Sequence, residues 1–105
     1  MTRVQVANAM SERDVDTHVR QLARALRLYA YHPLNSVGSE KGWPDWSLIG
    51  ARGMLFRENK SSAGKLTAEQ RTVGYALQAL GHDWDVWRPA DVIRGRIEAE
   101  LRGIR

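Results

Sequence analysis

Pro44-Asp45-Trp46-Ser47-Leu48-Ile49-Gly50-Ala51-Arg52-Gly53-Met54-Leu55-Phe56-Arg57-Glu58-Asn59-Lys60 is the stretch that decides the fold. Two apolar runs, Trp46 to Ile49 and Met54 to Arg57, flank the glycine-bounded loop Gly50-Ala51-Arg52-Gly53, a pattern that reads as an antiparallel hairpin. With Ile49 opposite Met54, the register runs on to Leu48/Leu55, Ser47/Phe56, Trp46/Arg57 and Asp45/Glu58. Directly opposed residues have Cβ atoms roughly 5 Å apart, so the two carboxylates face each other and repel. A divalent cation between them turns that repulsion into a binding site, because oxygen ligands suit Mg²⁺ or Mn²⁺. Lys60 follows Glu58 by two residues and projects from the same face of the strand. Two acids and a lysine on one face suit the hydrolysis of phosphodiesters.

Outward from the hairpin, the chain alternates helical and extended patterns. Ser11-Glu12-Arg13-Asp14 reads as a helix N-terminus with capping-box spacing. Val15, Val19, Leu22, Ala23 and Leu26 then form an apolar stripe at helical spacing. Leu28 to His32 is extended and stopped by Pro33, and Asn35 to Lys41 reads as a polar, substrate-facing loop. Ser61 to Lys65 is a second loop. Thr67 opens another helix, with Val73, Ala76, Leu77 and Leu80 inward and Gly81 as its stop. His82 to Trp87 is a strand. Pro89 opens a third helix with Ile93, Ile97, Leu101 and Ile104 as its stripe. Residues 1–10 show no periodicity and are expected to fray or pack as an arm, leaving 11–105 as the domain. The order helix, strand, strand, strand, helix, strand, helix predicts an α/β fold, a small mixed sheet flanked by helices.

The 105 residues, 43% of them apolar and four of them tryptophan, suffice for one core. Absence of cysteine excludes disulfides and thiolate metal sites. No apolar run approaches the roughly 20 residues of a membrane span, and Met1 to Met10 lacks the apolar region of a signal peptide. The expectation is a soluble cytoplasmic protein. A net charge of +4 and a pI near 10 favour polyanionic partners. Between Arg52 and Arg71 five basic residues (Arg52, Arg57, Lys60, Lys65, Arg71) stand against two acids, Glu58 and Glu69.

Four blocks carry a family resemblance: Gly42-Trp43-Pro44-Asp45; Leu55-Phe56-Arg57-Glu58-Asn59-Lys60; Gly64-Lys65-Leu66-Thr67-Ala68-Glu69-Gln70-Arg71; and Val86-Trp87-Arg88-Pro89-Ala90-Asp91. In this order, over about residues 11 to 93, they resemble the VRR-NUC family, a branch of the PD-(D/E)xK nuclease superfamily, of the stand-alone phage or bacterial type. The resemblance implies a restriction-endonuclease-like core and a Mg²⁺- or Mn²⁺-dependent endonuclease. It also implies DNA, and branched DNA such as four-way junctions, as the substrate, a homodimer as the active form, and a bacterial or phage-encoded origin. The residue between Glu58 and Lys60 is usually apolar in that family and here is Asn59. That position is expected to offer a metal its backbone carbonyl, which asparagine retains.

Asp45, Glu58, Lys60 and Gln70 are the candidate catalytic residues, and Asp45, Glu58, the Asn59 carbonyl and Glu12 the candidate metal ligands. Each has a plainer reading. Asp45 could be a turn residue after Pro44, and Glu58 and Lys60 a weak ion pair at a solvated edge. Glu12 suits a helix N-terminus by charge alone, and Thr67-x-x-Gln70 is itself a capping box. Glu40 is an alternative acid or loop decoration. Lys41, Arg52, Arg57, Lys65, Arg71 and Arg88 are candidate phosphate contacts, Lys65 foremost, and His32 could join them or merely end a strand. His18 and His82 read as surface residues. Trp46, Trp84 and Trp87 read as core or interface, with Trp43, beside Asp45, the one in position to meet substrate.

No helix-turn-helix or zinc finger accompanies these residues, so recognition by shape is expected. Alternatives are a nicking or flap nuclease and a nucleic-acid-binding module that has lost catalysis.

Overall fold

In a computed structural model the chain is described over residues 1–33 and 40–105. The elements run α1 (Arg3–Ala9), α2 (Glu12–Ala25), β1 (Tyr29–Tyr31), β2 (Trp46–Gly50), β3 (Gly53–Asn59), α3 (Ala68–Ala79), β4 (Asp83–Trp87), α4 (Pro89–Ile93) and α5 (Arg96–Ile104). The loop expected over Asn35 to Lys41 falls outside the described residues except for Glu40 and Lys41. The strands form one mixed sheet in the order β1-β2-β3-β4. β1/β2 and β2/β3 are antiparallel, and β3/β4 is parallel.

The hairpin pairs as its sequence pattern predicts, Trp46 with Arg57, Ser47 with Phe56, Leu48 with Leu55 and Ile49 with Met54. Pairing continues one step further, Gly50 with Gly53, so only Ala51 and Arg52 make the turn. The Arg52 N–H donates to the Ile104 carbonyl at 2.9 Å, tying the end of α5 to this turn. Asp45 and Glu58 lie at the opposite end of the hairpin.

Alternation along β3 divides its side chains between two layers. Leu55, Arg57 and Asn59 face α2 and α5, where Val15, Val19, Ala23, Leu26, Trp46, Leu48, Trp87, Ile97, Leu101 and Ile104 complete the main core. Phe56 and Glu58 face the α3 side. The α2 stripe is buried as expected, Leu22 only partly. Ser11 caps that helix, accepting from the Asp14 N–H at 3.1 Å while the Asp14 carboxylate accepts from the Ser11 N–H at 2.8 Å.

Several expectations are corrected. Residues 3–9 form a helix, α1, packed against α4 with Ala7 buried. Its signal was Thr2-x-x-Gln5, a capping box in which Thr2 accepts from the Gln5 N–H at 3.1 Å and the Gln5 side chain accepts from the Thr2 N–H at 2.7 Å. The expected third helix is two helices. Gly95 adopts φ 75°, a left-handed conformation that ends α4 and redirects α5. Ile97, Leu101 and Ile104 are thereby buried in the core and leave no apolar stripe exposed on α5.

On α3 the inward face is shifted. Gly74 is buried, Val73 and Leu77 are partly buried, Ala76 is exposed, and Leu80 is 76% exposed. The Trp84 indole lies so close to Gly74 that a Cβ there would sit 2.2 Å from its Cε2, so α3 docks through its barest residue. No helix of the described residues is long and apolar enough to cross a membrane.

Candidate active site

Asp45 stands just ahead of β2 and Glu58 near the end of β3, where the hairpin register sets them side by side. Glu58 is 0% exposed. Its Oε1 accepts from Gln70 Nε2 at 3.1 Å, while its Oε2 is buried without a donor. Burial pushes the Glu58 carboxyl up to about 9, the nearby Asp45 charge and a carboxyl–carboxyl hydrogen bond add to the rise, and Lys60 opposes it. With both acids ionised, nothing satisfies Oε2. One shared proton, or one cation, does.

Asp45 is held from two directions. Its Oδ2 accepts from the Asn59 backbone N–H at 2.8 Å, and its carbonyl accepts from His32 Nδ1 at 2.5 Å. Lys60 is buried at the head of the loop after β3, and its N–H donates to the Trp87 carbonyl at 3.0 Å. Its positive charge is close enough to act on both Glu58 and Glu12. Glu12, in the first turn of α2, has its carboxyl raised by desolvation and by Asp45 and Asp16, so the first helix does bring an acid toward the pair.

Gln70 caps α3 and also touches the acid pair. Its Oε1 accepts from the Thr67 N–H at 2.9 Å as a helix cap, and its Nε2 reaches Glu58. A cleft of about 530 Å³ opens beside Asp45, lined by His32, Lys41, Trp43, Thr67 and Gln70 among others, with Glu40 also on its wall. Trp43 is 48% exposed there and packs edge-on against Phe56 at 5.7 Å. Gly42 precedes it at φ 98°, and a Cβ on Gly42 would sit 2.5 Å from the Glu69 carbonyl oxygen. This close approach seats the cleft wall on the first turn of α3.

The candidate phosphate contacts separate sharply. Arg57 is 2% exposed, its guanidinium bonded to Glu100 at 2.9 Å and Asp83 at 3.0 Å and lying over Trp87, so it is not a DNA contact. Alternation is the reason, since Arg57 precedes Glu58 and must point to the opposite layer. Arg88 braces the loop after Lys60, donating to the Ser61 and Gly64 carbonyls at 2.7 Å each. Arg52 sits at the far turn, 3.4 Å from the Gly103 carbonyl. Arg71 is exposed, with one guanidinium nitrogen on the Leu66 carbonyl. Lys41 and Lys65 are exposed near the site end.

His32 is partly buried, stacked on Trp46 at 4.3 Å, and forms part of the cleft wall. His18 is partly buried, its imidazole held below its usual range by desolvation, while His82 is exposed and meets Phe56 edge-on.

Among the described residues no three His, Cys, Asp or Glu side chains converge into a metal cage. Glu12 stands near enough to Asp45 and Lys60 to feel their charges but does not form such a group with the pair. The donors that remain are the two carboxylates and the main chain of Asn59, and their chemistry fits a hard divalent ion that keeps part of its water shell. The unsatisfied Glu58 Oε2 is the observation that favours such an ion. Asp16 went unnoticed in the sequence. It accepts from Trp46 Nε1 at 3.0 Å and Asn59 Nδ2 at 2.6 Å, and its spacing of four from Glu12 was the only available signal.

The chain matches no protein-family model, no curated protein and no solved structure.

Proposed function

We propose that this protein is a metal-dependent endonuclease that hydrolyses DNA phosphodiesters, selects its substrate by shape and acts on branched DNA such as four-way junctions. The observation that carries the proposal is the buried Glu58 beside the half-buried Asp45 at one end of the hairpin, with Lys60 in the same electrostatic field. The mixed sheet with helices on both layers, and the acids on its hairpin, is consistent with a restriction-endonuclease-like core. The four blocks resembling the VRR-NUC family support the same reading. The homodimer rests on that resemblance alone, as does the cytoplasmic, bacterial or phage setting.

Asp45, Glu58 and the Asn59 carbonyl would hold Mg²⁺ or Mn²⁺. Bound there, the ion would polarise the phosphoryl oxygen and lower the pKa of a water. Gln70 fixes one Glu58 oxygen and leaves the other for the site. Lys60 orients the attacking water or neutralises charge that builds on the phosphate. Trp43 and Lys41 line the cleft that would receive the strand.

Duplex, flap, splayed-arm and four-way DNA, each incubated across a Mg²⁺ and Mn²⁺ series, test the proposal. Cleavage by the wild type that disappears in Asp45→Asn supports it. Wild-type protein that cuts none of the four rejects it.

Two substitutions separate roles within the site. Lys60→Ala is expected to lower cleavage by about 100-fold or more and to leave Mn²⁺ affinity and DNA binding in Ca²⁺ near wild type. Calorimetry and a binding assay check this, and a defect confined to DNA binding would recast Lys60 as a phosphate anchor. Lys65→Ala is expected to reduce the slope of log affinity against log salt by about 0.9 on duplex DNA without altering sequence preference. An unchanged slope removes Lys65 from the interface.

A further inference from the structure

Asp16 stands one turn after Glu12 on α2 and reaches the sheet layer opposite Glu58. Four contacts relate it to Asp45. Asn59 Nδ2 donates to Asp16 Oδ1 at 2.6 Å, and the Asn59 N–H donates to Asp45 Oδ2 at 2.8 Å. His32 Nδ1 donates to the Asp45 carbonyl at 2.5 Å, and His32 Nε2 lies 3.7 Å from Asp16 Oδ2. Hydrogen bonds thus run from Asp16 through Asn59 to Asp45 and from Asp45 to His32, whose ring ends near Asp16 but beyond hydrogen-bond reach.

Trp46 stiffens this network from within. Its Nε1 donates to the same Asp16 oxygen at 3.0 Å, and the His32 ring stacks on its face at 4.3 Å and 12°. The guanidinium of Arg20 lies over the Trp46 ring, 5.1 Å from its centroid. Asp45 is thus gripped at its carboxylate by Asn59, which Asp16 holds directly, and at its carbonyl by His32, which packs on the Trp46 ring that Asp16 also holds. The network also accounts for a polar residue at position 59. A buried Asn59 side chain needs a partner, its Oδ1 has none, and Asp16 takes its amide.

We infer that Asp16 is a positioning residue that sets the orientation of the Asp45 carboxylate for a divalent cation, acting through Asn59 and His32. The inference rests on the reading of Asp45 and Glu58 as a metal site. Asp16 itself is aimed at Asn59, Trp46 and His32, so its effect on the ion is indirect. Partners of this kind typically change metal affinity by about 10- to 100-fold.

Mn²⁺ titration by calorimetry is the test, on Asp16→Ala and on the near-isosteric Asp16→Asn, with melting in EDTA and far-ultraviolet circular dichroism recorded for both. Asp16→Ala should weaken Mn²⁺ binding about 10- to 100-fold, and Asp16→Asn should weaken it less, since its amide oxygen still accepts from Trp46 and Asn59. On a cleaved substrate, kcat at subsaturating Mn²⁺ should fall and recover with added Mn²⁺, while the KM for DNA stays constant. Because both side chains act on the same Asp45, the losses of Asp16→Ala and His32→Ala on Mn²⁺ affinity should be less than additive. If Asp16→Ala does not fold, Asp16→Asn decides alone. Folded variants with lowered melting temperature but wild-type Mn²⁺ affinity overturn the inference and leave Asp16 a packing residue. Wild-type protein that binds no Mn²⁺ overturns the metal reading, and the inference with it.

Discussion

Glu58→Gln should make the metal-free protein more stable at pH 8 and at the same time abolish DNA cleavage. The folded Glu58 carboxyl keeps its proton up to about 9, because it is buried and faces Asp45, whereas the unfolded chain releases it near the ordinary value of 4.5. Between those values the folded state binds more protons than the unfolded state, so stability falls as pH rises from about 4.5 toward about 9. By pH 7 that penalty is on the order of 3 kcal/mol, which glutamine does not incur. Melting in EDTA from pH 5 to pH 8 is the measurement. The wild type should lose stability across this range relative to Glu58→Gln, and the two curves should converge toward pH 5. Mn²⁺ should raise the melting temperature of the wild type and leave that of the variant nearly unmoved. Asp45→Asn should likewise abolish cleavage but reduce the pH dependence only in part, because burial, the larger cause, remains. A Glu58→Gln protein that melts below wild type at pH 8 in EDTA would show that folding does not hold the Glu58 carboxyl raised.

Arg57→Ala should cost about 3–5 kcal/mol of stability, the range for breaking one side of a buried ion pair. The guanidinium donates to the Phe56 and Asp83 carbonyls at 3.0 and 2.8 Å, and bonds Glu100 through both Nε and Nη2. Burial alone would raise the Glu100 carboxyl, but hydrogen bonds from Trp87, Arg57 and Arg96 more than offset it and hold it below the usual range. That contribution is fully present above the unfolded-state carboxylate pKa and is lost as pH falls through the lower folded value. Removing Arg57 takes away part of it and leaves the face of Trp87 uncovered. Urea denaturation at pH 7 measures the loss, and the gap to wild type should narrow in acid. A stable Arg57→Ala protein with weakened DNA binding would restore the surface role that the sequence suggested.

The hairpin was legible because its information is local. Two apolar runs and a glycine-bounded turn admit one register that keeps Trp46, Leu48 and Leu55 on the core layer, and a slip of one residue would turn each of them outward. That register sets Asp45 beside Glu58. The caps at Ser11 and Thr67 were legible for the same reason, since a capping box closes within four residues. The box at Thr2 was equally local but lacked an apolar stripe behind it. Gly95 resembled an ordinary helix residue within a continuous apolar pattern, and only its left-handed backbone reveals the break.

By itself, then, the sequence determined the α/β class, the hairpin register and the approach of Asp45 and Glu58, the last two following from alternation and spacing within one short stretch. Only the tertiary structure decided the rest. Arg57 became a buried ion pair because Glu100, 43 residues away, lies across its layer. α3 turned toward the sheet on Gly74 because Trp84 fills the space beside it. Asp16 joined the site because α2 packs where Asn59 and Trp46 emerge. In each case the deciding partner comes from another element of the fold. Short-range periodicity states which way a side chain points along its own strand or helix, but not what the folded chain brings to meet it.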